Sequence, residues 1–76
     1  MKKNYRVALW KGTQILERYY SAHRFSGLFV IPTPRGSAFY DMATDKPETV
    51  FLDLCEKFDA DYLTVLDWLR ALGESE

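Results

Sequence analysis

The rhythm of apolar and polar positions changes once along the chain, near residue 42. Before it, Tyr5-Arg6-Val7-Ala8-Leu9-Trp10 alternates with period two and is rich in strand formers. Lys11-Gly12 then predicts a tight turn, because glycine adopts positive φ at little cost. Ile15 to Tyr20 reads as the second strand of a hairpin. Its adjacent apolar pairs, Ile15-Leu16 and Tyr19-Tyr20, imply partial cover on both faces. Ser21 to Ser26 is a connection. The wholly apolar run Leu28-Phe29-Val30-Ile31 suits a central strand buried on both faces. Thr33-Pro34-Arg35-Gly36 fits a type I turn, and Ala38 to Met42 is the returning strand. Residues 1–42 therefore read as an antiparallel β-meander of three to four strands.

Beyond residue 42 the period becomes helical. Asp45 followed by Glu48 resembles a capping box, with Pro47 in the first turn. Val50, Phe51, Leu54, Cys55 and Phe58 share one helical face. Asp59-Ala60-Asp61 breaks the helix, and Asp61 caps a second one running from Tyr62 to Leu72, which Gly73 stops. The expectation is an α+β fold in which this αα-hairpin, residues 45–73, packs on one sheet face and residues 74–76 fray.

The second helix has more apolar surface than one sheet can cover. Tyr62, Leu63, Val65, Leu66, Trp68, Leu69 and Leu72 are interrupted only by the stripe Thr64, Asp67, Arg70 and by Ala71. A surface helix needs about a third of its circumference apolar. Either it is sandwiched between sheet and first helix, or part of it faces another chain. In so small a protein the second option is favoured, as a homodimer or with another protein.

Size and composition narrow the function classes. The chain has 76 residues, enough for one domain, and 47% are apolar, too rich in core formers for a disordered chain. Cys55 is the only cysteine, so no internal disulfide forms, and His23 is the only histidine, so no zinc site can be assembled from Cys and His ligands. Met1-Lys2-Lys3 is followed by no apolar run, because Arg6 and Lys11 interrupt it, and no window is long enough to span a membrane. These features lead to the expectation of a cytoplasmic protein without metal or cofactor. There is no glycine-rich phosphate loop, and no nucleophile can be matched with histidine and acid partners. An enzyme is not expected, and a binding function is.

The net charge of −1 conceals a division. Residues 1–36 carry seven Lys and Arg against Glu17 alone, whereas residues 37–76 carry three cations against ten acids. Two candidate surfaces follow. The acidic and apolar helical half offers Asp53, Glu56, Asp59, Asp61, Tyr62, Leu63, Leu66, Asp67, Trp68 and Arg70 to a protein partner, with aromatic and Arg anchors and carboxylates that steer a basic groove. Such a groove could belong to a protein that handles nucleic acid. Small stand-alone domains of this kind are common among regulators and inhibitors of phage and mobile-element type, an association and not a deduction. The alternative surface is the strand region, where Arg6, Lys11, Arg18, Tyr20, His23, Arg24 and Arg35 interleave cations with aromatics and would suit nucleic acid.

Phe58-Asp59-Ala60-Asp61, then Thr64-Val65 and Trp68-Leu69-Arg70, resembles the turn and second helix of a helix-turn-helix over about residues 49–72. The resemblance implies a DNA-binding hairpin. The chain departs from it where Asp59 replaces the turn glycine, and where Tyr62, Leu63, Leu66 and Asp67 occupy base-facing positions with Arg70 as the only cation. A greasy, acidic helix lacks the donors and cations that a major groove requires.

Overall fold

In the computed structural model, residues 2–22, 27–41 and 43–74 are described. They form α1 (Lys2–Ala22), β1 (Leu28–Thr33), β2 (Gly36–Asp41), α2 (Pro47–Lys57) and α3 (Tyr62–Glu74). The α+β class and the C-terminal αα-hairpin agree with expectation, but the meander does not. Among the described residues the sheet has two antiparallel strands, and both expected strands before residue 22 are one helix.

The physical reason for this correction is a stripe hidden under the alternation. Tyr5, Ala8, Leu9, Gly12, Ile15, Leu16 and Tyr19 recur at intervals of three and four, and Ala8, Gly12 and Leu16 along it are buried. The adjacent pair Ile15-Leu16, awkward in a strand, suits neighbouring rows of a helix. Gly12 does not turn the chain. It lies mid-helix because α2 approaches there, and a Cβ built on it would overlap Cε2 and Cδ2 of the Phe51 ring. Burial of the stripe outweighs the strand propensity of its aromatic and branched residues.

The hairpin is held in register by Val30↔Phe39 and Ile31↔Ala38, and its turn places Gly36 at φ +135°, a value that favours glycine. Phe29, Ile31, Ala38 and Tyr40 point inward, whereas Leu28, Val30 and Phe39 point out. The expected strand buried on both faces is therefore buried on one. The inward residues join Ala8 and Leu16 of α1, Val50, Phe51 and Leu54 of α2, and Val65, Leu66 and Leu69 of α3 in one cluster.

Two helix boundaries also differ from expectation. The N-cap of α2 is Lys46, without a side-chain cap hydrogen bond, and Pro47 opens the helix. The Asp45 carboxylate instead accepts the Asp41 backbone N–H at 2.8 Å, tying the end of β2 to the helix start. Gly73 does not stop α3, which continues to Glu74.

Gly12→Ala tests this packing. In a free helix the change would add stability. Here the new methyl meets Phe51 in a filled core, so it should cost about 1–3 kcal/mol in chemical denaturation. Adding Phe51→Leu should make the Gly12→Ala change less costly than it is in the wild-type background.

Candidate groove between the first and third helices

Helix α3 is sandwiched on most of its circumference. Val65 and Leu69 are wholly buried and Leu66 is only 4% exposed. Tyr62 lies against Tyr5 of α1, with ring centroids 4.8 Å apart, and meets Phe51 edge-on at 5.5 Å. Trp68 is half-buried, edge-on to Phe58 at 5.9 Å, with the Arg35 guanidinium 5.5 Å from its centroid. The large apolar residue of α3 left in solvent is Leu63, at 48% exposed. The surplus apolar surface read from the sequence is thus mostly covered by α1, an element that the strand reading did not supply.

Leu63 has a counterpart across the helix pair. Val7, Ala8 and Lys11 of α1 face Leu63, Leu66, Asp67 and Arg70 of α3 across an open groove of about 370 Å³. Val7, like Leu63, is about half exposed. Lys11 on one helix and Asp67 and Arg70 on the other are exposed and form the charged rim. Such a shallow channel, with an apolar floor contributed by two helices, can receive a ridge of apolar side chains. It is too open to enclose a small molecule as typical ligand pockets do.

Four of the ten residues proposed for partner binding, Leu63, Leu66, Asp67 and Arg70, therefore come together. The other six are otherwise engaged or positioned. Asp53 accepts a 2.6 Å hydrogen bond from the Tyr40 hydroxyl and faces the hairpin. Asp61 is the N-cap of α3, accepting the Thr64 N–H at 2.8 Å. Asp59 sits in the α2–α3 turn at φ +51°, in the left-handed region that Asp tolerates better than most residues. Tyr62 and Trp68 serve the packing above, and Glu56 is exposed on α2. The acids do not make one outward face, because Asp53 turns to the sheet while Asp67 turns to the groove.

The alternative cationic set divides as well. Arg6, Lys11 and Arg18 are exposed on α1, a helix and not a strand surface, and so is Trp10, at 61%. Arg35 is committed to the fold. It donates from Nη1 to the carbonyls of Phe58 and Asp59, at 2.7 and 3.2 Å, clasping the β-turn to the end of α2. His23, Arg24 and the side chain of Tyr20 lie outside the described residues. The helix-turn-helix resemblance is geometrically apt at Asp59, whose left-handed backbone matches a glycine position. Of the four base-facing residues expected from it, Leu66 is buried and Tyr62 is half-buried between rings.

Sequence reasoning missed Val7 and Ala8, and the signal that could have found them was the three–four spacing of α1. No helix is long and apolar enough to cross a membrane among the described residues, and none of their His, Cys, Asp and Glu side chains group in threes that could hold a metal ion. Compared with family models, curated proteins and solved structures, the chain matches none.

Two titrating groups give measurable consequences. Burial, and next the charge of Asp61, push the Cys55 thiol up to about 11. Its alkylation near pH 8 should run at least about tenfold slower in the native protein than in denaturant, after allowing for the greater nucleophilicity of a more basic thiolate. Hydrogen bonds from the Thr64 side chain and then its backbone N–H hold the Asp61 carboxyl below its ordinary value of 3.8. A lowered folded pKa stabilises the protein above the unfolded value and ceases to do so as pH falls through the folded one. Asp61→Ala should therefore lower the melting temperature by roughly 4–8 °C at pH 7. The gap between variant and wild type should narrow on acidification below 3.8.

Proposed function

We propose that the chain is a small, non-enzymatic protein-binding module, a regulator or inhibitor, and that its working surface is the α1–α3 groove. The observation that carries this reading is the convergence of exposed Val7 and Leu63 from two helices over a floor completed by Ala8 and Leu66. Exposed apolar side chains gathered in a groove with a polar rim are a usual sign of a contact site. The occupant with matching chemistry is an amphipathic helix of a partner protein, laid along the groove with its apolar ridge inward.

Charge complementarity gives that helix a sign. Lys11 and Arg70 flank the groove against Asp67, and Arg18, two turns beyond Lys11, lies on the same side of α1. Carboxylates beside the partner's apolar ridge would meet these cations and speed encounter at low salt. Exposed Arg6, Trp10, Lys11 and Arg18 also keep a second reading in play, in which the same α1 surface holds a nucleic acid strand by phosphate contacts and stacking.

A photo-crosslinker placed at Leu63, used in the native host and read by mass spectrometry, tests the proposal. Expected is crosslinking to an acidic, amphipathic helical segment of one protein, lost with Val7→Glu and retained with Leu52→Glu on α2. Crosslinks that survive Val7→Glu would overturn the groove reading. Micromolar binding of labelled single-stranded oligonucleotides, abolished by neutralising Arg6, Lys11 and Arg18, would favour nucleic acid instead.

A further inference from the structure

The two walls of the α1–α3 groove differ in charge. On α1, Val7, Lys11, Gln14 and Arg18 recur at intervals of four, three and four, which keeps them on one side of the helix, and all four are exposed. This wall carries two cations and no acid, because Glu17, next to Arg18, lies about 100° away around the helix. On α3, Leu63, Asp67 and Arg70 recur at intervals of four and three and are exposed as well. The opposite charges of Asp67 and Arg70 offset each other one turn apart. The helices run in the same general direction, since Tyr5 meets Tyr62 near the start of each while Lys11 lines the groove with Asp67 and Arg70 further on. The walls therefore stand side by side, one cationic and one balanced, over the floor of Ala8 and Leu66.

We propose that the groove takes a partner helix whose carboxylates lie on only one flank of its apolar ridge, the flank that faces α1. This rests on the groove reading and adds to it the charge pattern that the partner must carry. With its ridge seated against Val7 and Leu63, a helix of about three turns spans the stretch from Val7 to Arg18. Residues on its α1 flank then lie beside Lys11 and Arg18, where carboxylates are attracted. Residues on its α3 flank lie beside Asp67 as well as Arg70, where a carboxylate is attracted by one and repelled by the other. The pattern also fixes direction. Turning the helix end for end with its ridge still inward exchanges its flanks, which sets the acids against Asp67 and removes them from Lys11 and Arg18. A strand of nucleic acid fits this groove less well, because its phosphates are negative along the whole backbone and offer Asp67 no neutral flank.

A phage-displayed library of amphipathic helical peptides, randomised on both flanks of a fixed apolar ridge and selected on the full chain, tests the proposal. Selected peptides should carry Asp or Glu on one flank and show no such enrichment on the other. Binding should fall roughly tenfold or more at low salt with Lys11→Glu and Arg18→Glu combined, and by no more than about twofold with Asp67→Asn and Arg70→Gln combined. A spin label at the peptide N-terminus should broaden amide signals at one end of the groove only. Peptides with acids on both flanks or on neither, a Lys11→Glu and Arg18→Glu pair without effect, or broadening at both ends overturns the proposal. Peptides whose binding survives Val7→Glu sit elsewhere and overturn the groove reading itself, as does a selection that yields no binder.

Discussion

The edge of the Phe51 ring meets α1 at Gly12, the one position on the buried stripe of that helix where no side chain stands in the way. Because α2 comes so close there, α1 can cover α2 and α3 together. Tyr5 then reaches Tyr62, which stacks against it while also meeting Phe51, so one ring ties the starts of α1 and α3 to the middle of α2. With α1 in place, Leu66 is buried and Val7 is brought opposite Leu63. A side chain at Gly12 would force the helices apart and open the groove along with the core.

The hairpin is attached by a separate device. The Arg35 guanidinium donates to the Phe58 and Asp59 carbonyls and lies over Trp68, while the Phe58 ring lies close to Gly36. These contacts join the β-turn to the α2–α3 turn, and Tyr40 adds a hydrogen bond to Asp53 on α2. Several of the most conspicuous charged and aromatic residues are thus occupied in holding the fold. Among the described residues, large apolar side chains remain exposed in the α1–α3 groove, on the outer face of the hairpin, and at Tyr5 and Trp10 of α1 and Leu52 of α2.

The C-terminal half was legible in the sequence because its signals agree with one another. Val50, Phe51 and Leu54 fall at helical spacing and are buried, and Asp61 caps α3 as its position before Tyr62 suggested. The Thr33–Gly36 turn and the strands beside it were legible for the same reason. The N-terminal half was not, because residues 5–10 satisfy period two and the helical stripe at once, and Gly12 fits a turn as well as a close helix approach. Only the position of Phe51, far along the chain, decides between them. The candidate site inherited this error. Leu63, Asp67 and Arg70 are identifiable as a polar-edged apolar surface, but their partner Val7 reads as a strand residue and Lys11 as part of a turn.

Backbone chemical shifts and nuclear Overhauser contacts for residues 5–20 test the account at its root. It predicts helical Cα shifts unbroken through Lys11 and Gly12, and contacts from the Gly12 α-protons to the Phe51 ring. Extended shifts on both sides of Gly12 with a break at that residue, and no contact to Phe51, would contradict it and would remove the groove along with the helix.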